Sequence, residues 1–283
     1  MSSNETRPTP AAETPEFSTA ISRVSPGKIN VRGYDASDLI RHANASEAAF
    51  LTIRGRRPSA AELRVFDAML VANADHGLVN TLSVAGRYVM SGAASLPAAI
   101  AAGVLSFGPY TGTAGLIAEL LLELNAAAGP CPPDAVIDAA LRRRRERREP
   151  IPGLGHPIHR DVDPRTTVVR EIAEANGITG PSVVLLDRVR ERASLLVGRE
   201  LVLNVDGLMG ALMMEMGFSP DEMLATNILA AIPGIAAHAI EEAQNGRRLR
   251  YPRDHESCYT LPESTRAWHD VAPAAPLSRD GET

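Results

Sequence analysis

Apolar positions recur every three to four residues along most of the chain, the period of an amphipathic helix. The run that opens at Ser59-Ala60-Ala61-Glu62 holds this period to about Ala74 and begins with a capping box, in which a serine and a glutamate three residues later satisfy each other's backbone N–H groups. Ser219-Pro220-Asp221-Glu222 opens another helix the same way, with proline at its first position. Pro181 starts a run that ends near Gly198, Gly92 and Gly129 close two more, and Asp134 is placed to cap the helix through the arginine run. Two-residue alternation is confined to Ile29–Tyr34, a short strand pair. The pattern predicts an all-α protein of ten or more helices. Its longest apolar stretches are broken by Gly, Asn or Glu short of the roughly 18 residues a bilayer span needs, so no membrane span is expected.

Residues 1–18 carry Ser, Thr, Pro, Glu and Ala with no large apolar side chain before Phe17, and 266–283 are similarly aperiodic; both read as loose tails. Between them a chain that is 45% hydrophobic in 283 residues folds without staples. Its two cysteines, Cys131 and Cys258, supply neither a disulfide framework nor metal-ligand spacing, and no export signal opens the sequence, which points to the cytoplasm. A net charge of −5 argues against nucleic acid. The local exception, Arg142-Arg143-Arg144-Arg145-Glu146-Arg147-Arg148, reads either as a solvated helix end or as a patch for phosphates on a ligand such as coenzyme A.

Candidate chemistry gathers at loop-to-helix junctions. His156 lies in Pro152-Gly153-Leu154-Gly155-His156-Pro157, where glycines allow close approach and prolines hold the backbone; His159 competes with it, and a surface histidine is the bland reading. Arg165, after Asp163-Pro164, either clamps a carboxylate bidentately or pairs with Glu171 on its own helix. Asp206, ahead of an apolar helical run, reads as an N-cap, a general base, or both. His76, in Ala74-Asp75-His76-Gly77, reads alone as a C-cap, and Arg250 as part of a solvated basic terminus.

The order and spacing of these segments from about residue 20 to 265 resemble the citrate synthase superfamily. Arg32-Gly33-Tyr34-Asp35, Gly55-Arg56-Arg57-Pro58, Asp75-His76-Gly77 and Asn204-Val205-Asp206-Gly207-Leu208 are most similar to the short citryl-CoA lyase branch and the lyase module of ATP-citrate lyase. The resemblance implies an all-α homodimer in which a large helical domain, 19–111 and 220–265, and an inserted small domain, 112–219, close over an organic acid and a CoA thioester, with no metal. It implies Asp206 and His156 as the acid/base pair: Asp206 exchanges the thioester α-proton, and His156 polarises the oxo carbonyl or receives the hydroxyl proton. His76, Arg165 and Thr111 would contact substrate, Arg250 would reach the neighbouring subunit's site, and Arg145, Arg147, Arg148 and Pro152-Gly153-Leu154-Gly155 would bind the CoA. The implied activity is carbon–carbon cleavage of a citryl-CoA-like thioester or the reverse condensation; the alternative is a catalytically reduced homologue that senses acyl-CoA or serves as a partner subunit.

Two positions depart from the family pattern. Thr111, in Gly108-Pro109-Tyr110-Thr111-Gly112-Thr113-Ala114, stands where the family carries a histidine that stabilises the thioester enolate, and loss of such a donor costs about 100- to 1000-fold in rate. Tyr110 or a backbone N–H of this turn is the expected replacement. Ala231 stands where an arginine usually clamps a substrate carboxylate, which leads to the expectation of an acid with one carboxylate fewer, or an apolar group in its place.

Overall fold

The computed structural model describes residues 17–260, so the expected tails lie outside the described residues apart from the exposed Phe17 and Ser18. Three short antiparallel strands, β1 (Ser22–Ser25), β2 (Lys28–Val31) and β3 (Tyr34–Asp35), form a meander at the edge of the molecule, one strand more than the alternation predicts. Everything after them is helical: α1 (Ala36–His42), α2 (Ala45–Arg54), α3 (Ala60–Ala72), α4 (Thr81–Ser91), α5 (Leu96–Val104), α6 (Ala114–Ala128), α7 (Asp134–Glu146), α8 (Pro164–Ala175), α9 (Pro181–Val197), α10 (Val205–Glu215) and α11 (Pro220–Asn245).

Both predicted capping boxes form, with Ser59 accepting from Glu62 N–H and Ser219 from Glu222 N–H. Gly92, Gly129 and Gly198 sit at helix C-caps as expected. Arg56 pairs with Glu62 and donates to the Met216 carbonyl, so the start of α3 is tied to the end of α10; the guanidinium, with the capping serine, brings the Glu62 carboxyl down to about 2. Two local expectations change. Pro133, not Asp134, occupies the cap position of α7, and the Asp134 carboxylate instead pairs with Arg188 on α9. The periodic run after Ser59 ends at Ala72, two residues early, because Asn73 leaves the helical conformation to serve the site described below.

The main core runs continuously from Phe50 on α2 through α3, α6, α7, α8, α9 and α10 to Met223 on α11. At one end Phe50, Phe66 and Phe218 meet with centroids 5.2–6.1 Å apart, two of the three contacts edge-on, the arrangement aromatic quadrupoles favour. A second, smaller cluster of Leu82, Ala231 and Ile235 joins α4 to α11. By length and composition α11 is apolar enough to cross a membrane, contrary to the expected absence of such a segment. It packs instead against α2, α3, α4, α5, α6 and α10, and its buried Glu242 is paired with both Arg87 and Arg250.

Candidate active site

The two motif segments meet because two glycines touch. Gly153 has φ +76°, and a Cβ on it would lie 2.5 Å from Gly207 Cα; a Cβ on Gly207 would lie 2.6 Å from the Gly153 carbonyl. Only hydrogen atoms fit between them. Around that contact Asn204 N–H donates to Gly153 O at 3.0 Å, Asn204 Nδ2 to Gly155 O at 3.0 Å, and Gly155 N–H to Val202 O at 2.7 Å. Pro152, Gly153 and Leu154 are therefore spent on joining the His156 turn to α10, and Leu154 bridges to Leu203. Gly155 alone of those four lines the cleft.

Asp163 strengthens this junction from within. Fully buried, it caps α8 by accepting from Arg165 N–H at 3.1 Å, holds the first residue of α10 through Val205 N–H at 3.1 Å, and takes two hydrogen bonds from the Arg165 guanidinium at 2.7 and 2.9 Å. Burial raises its pKa, but these donors, the guanidinium foremost, outweigh that and leave the carboxyl below its ordinary value. Arg165 thus pairs with Asp163 and not with Glu171. No hydrogen bond among the described residues engages its Nη1, so one edge of the fork is left for a ligand.

His156 and His76 face each other with Nε2 atoms 2.9 Å apart. The His156 Nδ1 accepts from both Ile158 N–H at 3.1 Å and His159 N–H at 3.0 Å, so it carries no proton, and in the neutral ring the proton sits on Nε2. His156 Nε2–H therefore donates to a bare His76 Nε2. Burial depresses the His156 pKa to about 4, with His159 adding to the effect, and lowers that of His76 too, with the Arg165 charge second. Both rings are neutral near pH 7. His76, His156 and His159 lie close enough together to share a metal ion. The donor chemistry does not suit one: the ring proton occupies the His156 Nε2 lone pair, and the Arg165 Nη2 stands 3.5 Å from that atom.

Across the cleft, Asp206 is the second residue of α10 and not its cap, the role Asn204 takes by accepting from Gly207 N–H. The Asp206 carboxylate is surrounded by four N–H donors from three other elements: Asn73 and Asn227 at 3.4 and 3.2 Å on Oδ1, Gly112 and Thr113 backbone N–H at 3.1 and 3.0 Å on Oδ2. All four are neutral.

These groups line one cavity of about 180 Å³ that also takes in Asn80, Tyr110, Thr111, Gly112, Asn204 and Ala231. Of the sequence candidates, Asp206, His156, His76, Arg165, Thr111 and Gly155 come together there. His76 is no C-cap, since α3 ends at Ala72 with Asn73 as its cap; it sits on the loop that follows. Of the expected replacements for a missing histidine, the Gly112 and Thr113 N–H groups are already given to Asp206, whereas Tyr110 lines the cavity; the Thr111 hydroxyl, 3.5 Å from that of Thr81, is a further donor at this position. Arg250 binds Glu242 of its own chain at 2.6 and 2.7 Å. Of the arginine run, Arg145 donates to Leu196 O, Arg143 pairs with Glu123, and Arg147 and Arg148 are exposed and have no ion pair among the described residues; none lines the cavity. Sequence reading missed Asn73, Asn227 and Asp163. An Asp-Pro-Arg helix start could have flagged Asp163, whereas the two amides carry no local signal.

The family described as "Citrate synthase, C-terminal domain" matches residues 53–253. The chain is 24% identical to citrate synthase 2 of Bacillus subtilis over 258 residues, 90% of this chain and 64% of that protein, and 26% identical to 2-methylcitrate synthase of Shewanella oneidensis over 206 residues, 72% and 53% respectively. It therefore spans roughly half to two thirds of the length of these relatives. The structure superposes on citryl-CoA lyase from Hydrogenobacter thermophilus with a TM-score of 0.77 and 29% identity, covering 90% of this chain and 99% of the other. An ATP citrate lyase from Methanosaeta concilii in complex with (3S)-citryl-CoA shares the fold, with a TM-score of 0.75, 20% identity and coverage of 92% and 43%. With a family match across most of its length, joined to a cleft that gathers the expected histidines, arginine and aspartate, the chain belongs to the citrate synthase family.

Proposed function

We propose that this protein is a CoA-thioester carbon–carbon lyase of citryl-CoA lyase type, equally able by microscopic reversibility to run the Claisen-type condensation. The observation that carries the reading is the placement of one carboxylate, Asp206, and one neutral histidine pair, His76–His156, on the walls of a single cleft, with the Arg165 fork beside the histidines. The likeness to a citryl-CoA lyase along nearly that protein's whole length supports it.

In the condensing direction Asp206 takes a proton from the thioester α-carbon, and the four N–H groups around it hold its oxygens toward that carbon. The Thr111 hydroxyl donates to the developing enolate oxygen. His156 Nε2–H donates to the acid's carbonyl oxygen as it gains charge, and Arg165 holds the carboxylate beside it. In the cleaving direction the hydroxyl proton passes to the ring nitrogen that is bare, and in the condensing direction the same nitrogen returns it to the new alkoxide. By the hydrogen-bond pattern that atom is His76 Nε2, so His76 takes the proton-accepting role that sequence reasoning assigned to His156. Exposed Arg147 and Arg148 are the candidates for CoA phosphates. A cytoplasmic homodimer, with the 112–219 segment closing over the cleft and Arg250 acting across the interface, belongs to the same proposal.

The test is exchange of the acetyl-CoA α-protons for deuterium, followed by mass spectrometry, beside citryl-CoA cleavage. Wild-type protein exchanges and cleaves, and Asp206→Asn loses both by about 10²- to 10⁴-fold without a matching loss of thermal stability. Tight acyl-CoA binding with no exchange in the wild type would replace the enzyme reading with that of a sensor or partner subunit.

A further inference from the structure

Part of the cleft wall is apolar. Ala231 on α11 lies with Leu82 in a small buried cluster whose fringe includes Phe107, and all three, together with Val79, line the cavity. One turn before Ala231 on the same helix stands Asn227, only 2% exposed. Its Nδ2 is committed to Asp206, and its Oδ1 has no donor among the described residues. Among the described residues that line the cavity Arg165 is the one guanidinium, and Asp163 already accepts from its Nε and Nη2. With His76 and His156 neutral, this chain's lining carries one positive group, itself half spent, against the carboxylate of Asp206; Arg250, proposed to act in a neighbouring subunit's cleft, likewise has its Nε and Nη2 taken by Glu242.

Such a cleft offers a clamp for one carboxylate. A second carboxylate placed toward Ala231 would meet a methyl group, three apolar side chains and the amide oxygen of Asn227, and the donors left to it in the lining, such as Asn80 and Thr111, are neutral and supply no counter-charge. An alkyl group there would be buried at a gain. We infer that the substrate acid carries one carboxylate and an apolar substituent: the thioester cleaved is a 3-carboxy-3-hydroxyacyl-CoA with an alkyl group on its carbinol carbon, and the products are acetyl-CoA and a 2-oxo monocarboxylate. This rests on the lyase reading above and narrows it. The bond between the carbinol carbon and the thioester α-carbon breaks and its electron pair stays on the α-carbon, which takes a proton from Asp206. The hydroxyl proton goes to His76 and the carbinol oxygen becomes the oxo group; Asp206 enters this direction in its acid form, and the proton His76 has gained restores that form by way of solvent after the products leave. No oxidant or other reactant enters.

The experiment measures kcat/KM in the condensing direction with acetyl-CoA and, in separate reactions, pyruvate, 2-oxobutyrate and oxaloacetate, with α-proton exchange run alongside. The expected result is a preference of about 10- to 100-fold or more for the monocarboxylates over oxaloacetate, the size of discrimination that differences in pocket contacts and unpaired groups produce. Ala231→Arg should narrow or invert that preference; Ala231→Lys serves if the larger residue prevents folding. A wild-type preference for oxaloacetate, or exchange without condensation of any monocarboxylate, overturns the inference and leaves the lyase reading standing. Absence of exchange with every acid removes the lyase reading and this inference with it.

Discussion

Asp163 and Asp206 are the same residue type at two helix starts that lie within one site, yet their surroundings differ in kind. Asp163 is fully buried and faces a guanidinium that takes both its oxygens. Asp206 is half-buried and faces four neutral N–H groups and open cleft. A carboxylate neutralised by a cation is a strut, because protonating or moving it strands the cation; one oriented by neutral donors, the Asn73 contact a long 3.4 Å, can exchange a hydrogen bond for a proton and leave no charge unpaired. The pair shows that proximity to the cleft does not distinguish a base from a scaffold, whereas the charge of the partners does.

The contrast predicts opposite losses. Asp163→Ala leaves Arg165 without its counter-charge and Val205 N–H without an acceptor, and removing one partner of a buried pair costs about 3–5 kcal/mol. Urea unfolding should show a loss of that order, against a smaller one of about 1–3 kcal/mol for Asp206→Asn, which keeps the shape but whose amide NH2 leaves two of the four N–H donors without an acceptor. Equal destabilisation by the two substitutions would erase the distinction between strut and base.

What the sequence could reveal divides along the same line. Helices announced by capping boxes and glycine stops appear where the periodicity puts them, since caps and apolar stripes act within one or two turns. His76, His156, Arg165 and Asp206 were legible through the order and spacing of their segments, which resemble the citrate synthase superfamily; taken singly each had a bland reading, His76 that of a C-cap. Their partners were not. Asn73 ends α3 and Asn227 lies inside α11, 154 residues apart in sequence, and each is an ordinary polar residue until tertiary packing turns it toward Asp206. The same holds for the assignments that changed: whether an aspartate caps its own helix or accepts from another element is decided by what the rest of the chain brings within hydrogen-bond reach, as with Asp206 and Asp134.

A smaller effect follows from the amides. If neutral donors are what orient the base, removing one should reduce catalysis without changing the chemistry. Asn227→Ala takes away the Asp206 contact at 3.2 Å and with it a hydrogen bond to a charged group, worth about 1.5 kcal/mol or more, so α-proton exchange should fall roughly tenfold while the affinity for acetyl-CoA stays within a factor of about two. An unchanged exchange rate would show that Gly112 and Thr113 suffice to hold the carboxylate.

The smallest expected effect concerns the histidines that share the cleft with these aspartates. An imidazole whose folded pKa is depressed from 6.5 to about 4 binds its proton more readily unfolded than folded. Its contribution to stability is therefore complete above about pH 6.5 and is lost progressively as the pH falls toward 4, where both states are protonated. His76, lowered in the same direction, adds to that slope, whereas the carboxylates held below their ordinary values, such as Asp163, lose their contribution at lower pH. Unfolding curves measured between pH 7 and 4 should thus be less steep in pH for His156→Asn than for wild type, by up to about one bound proton. Superimposable slopes would mean that the His156 ring is not kept neutral by its burial.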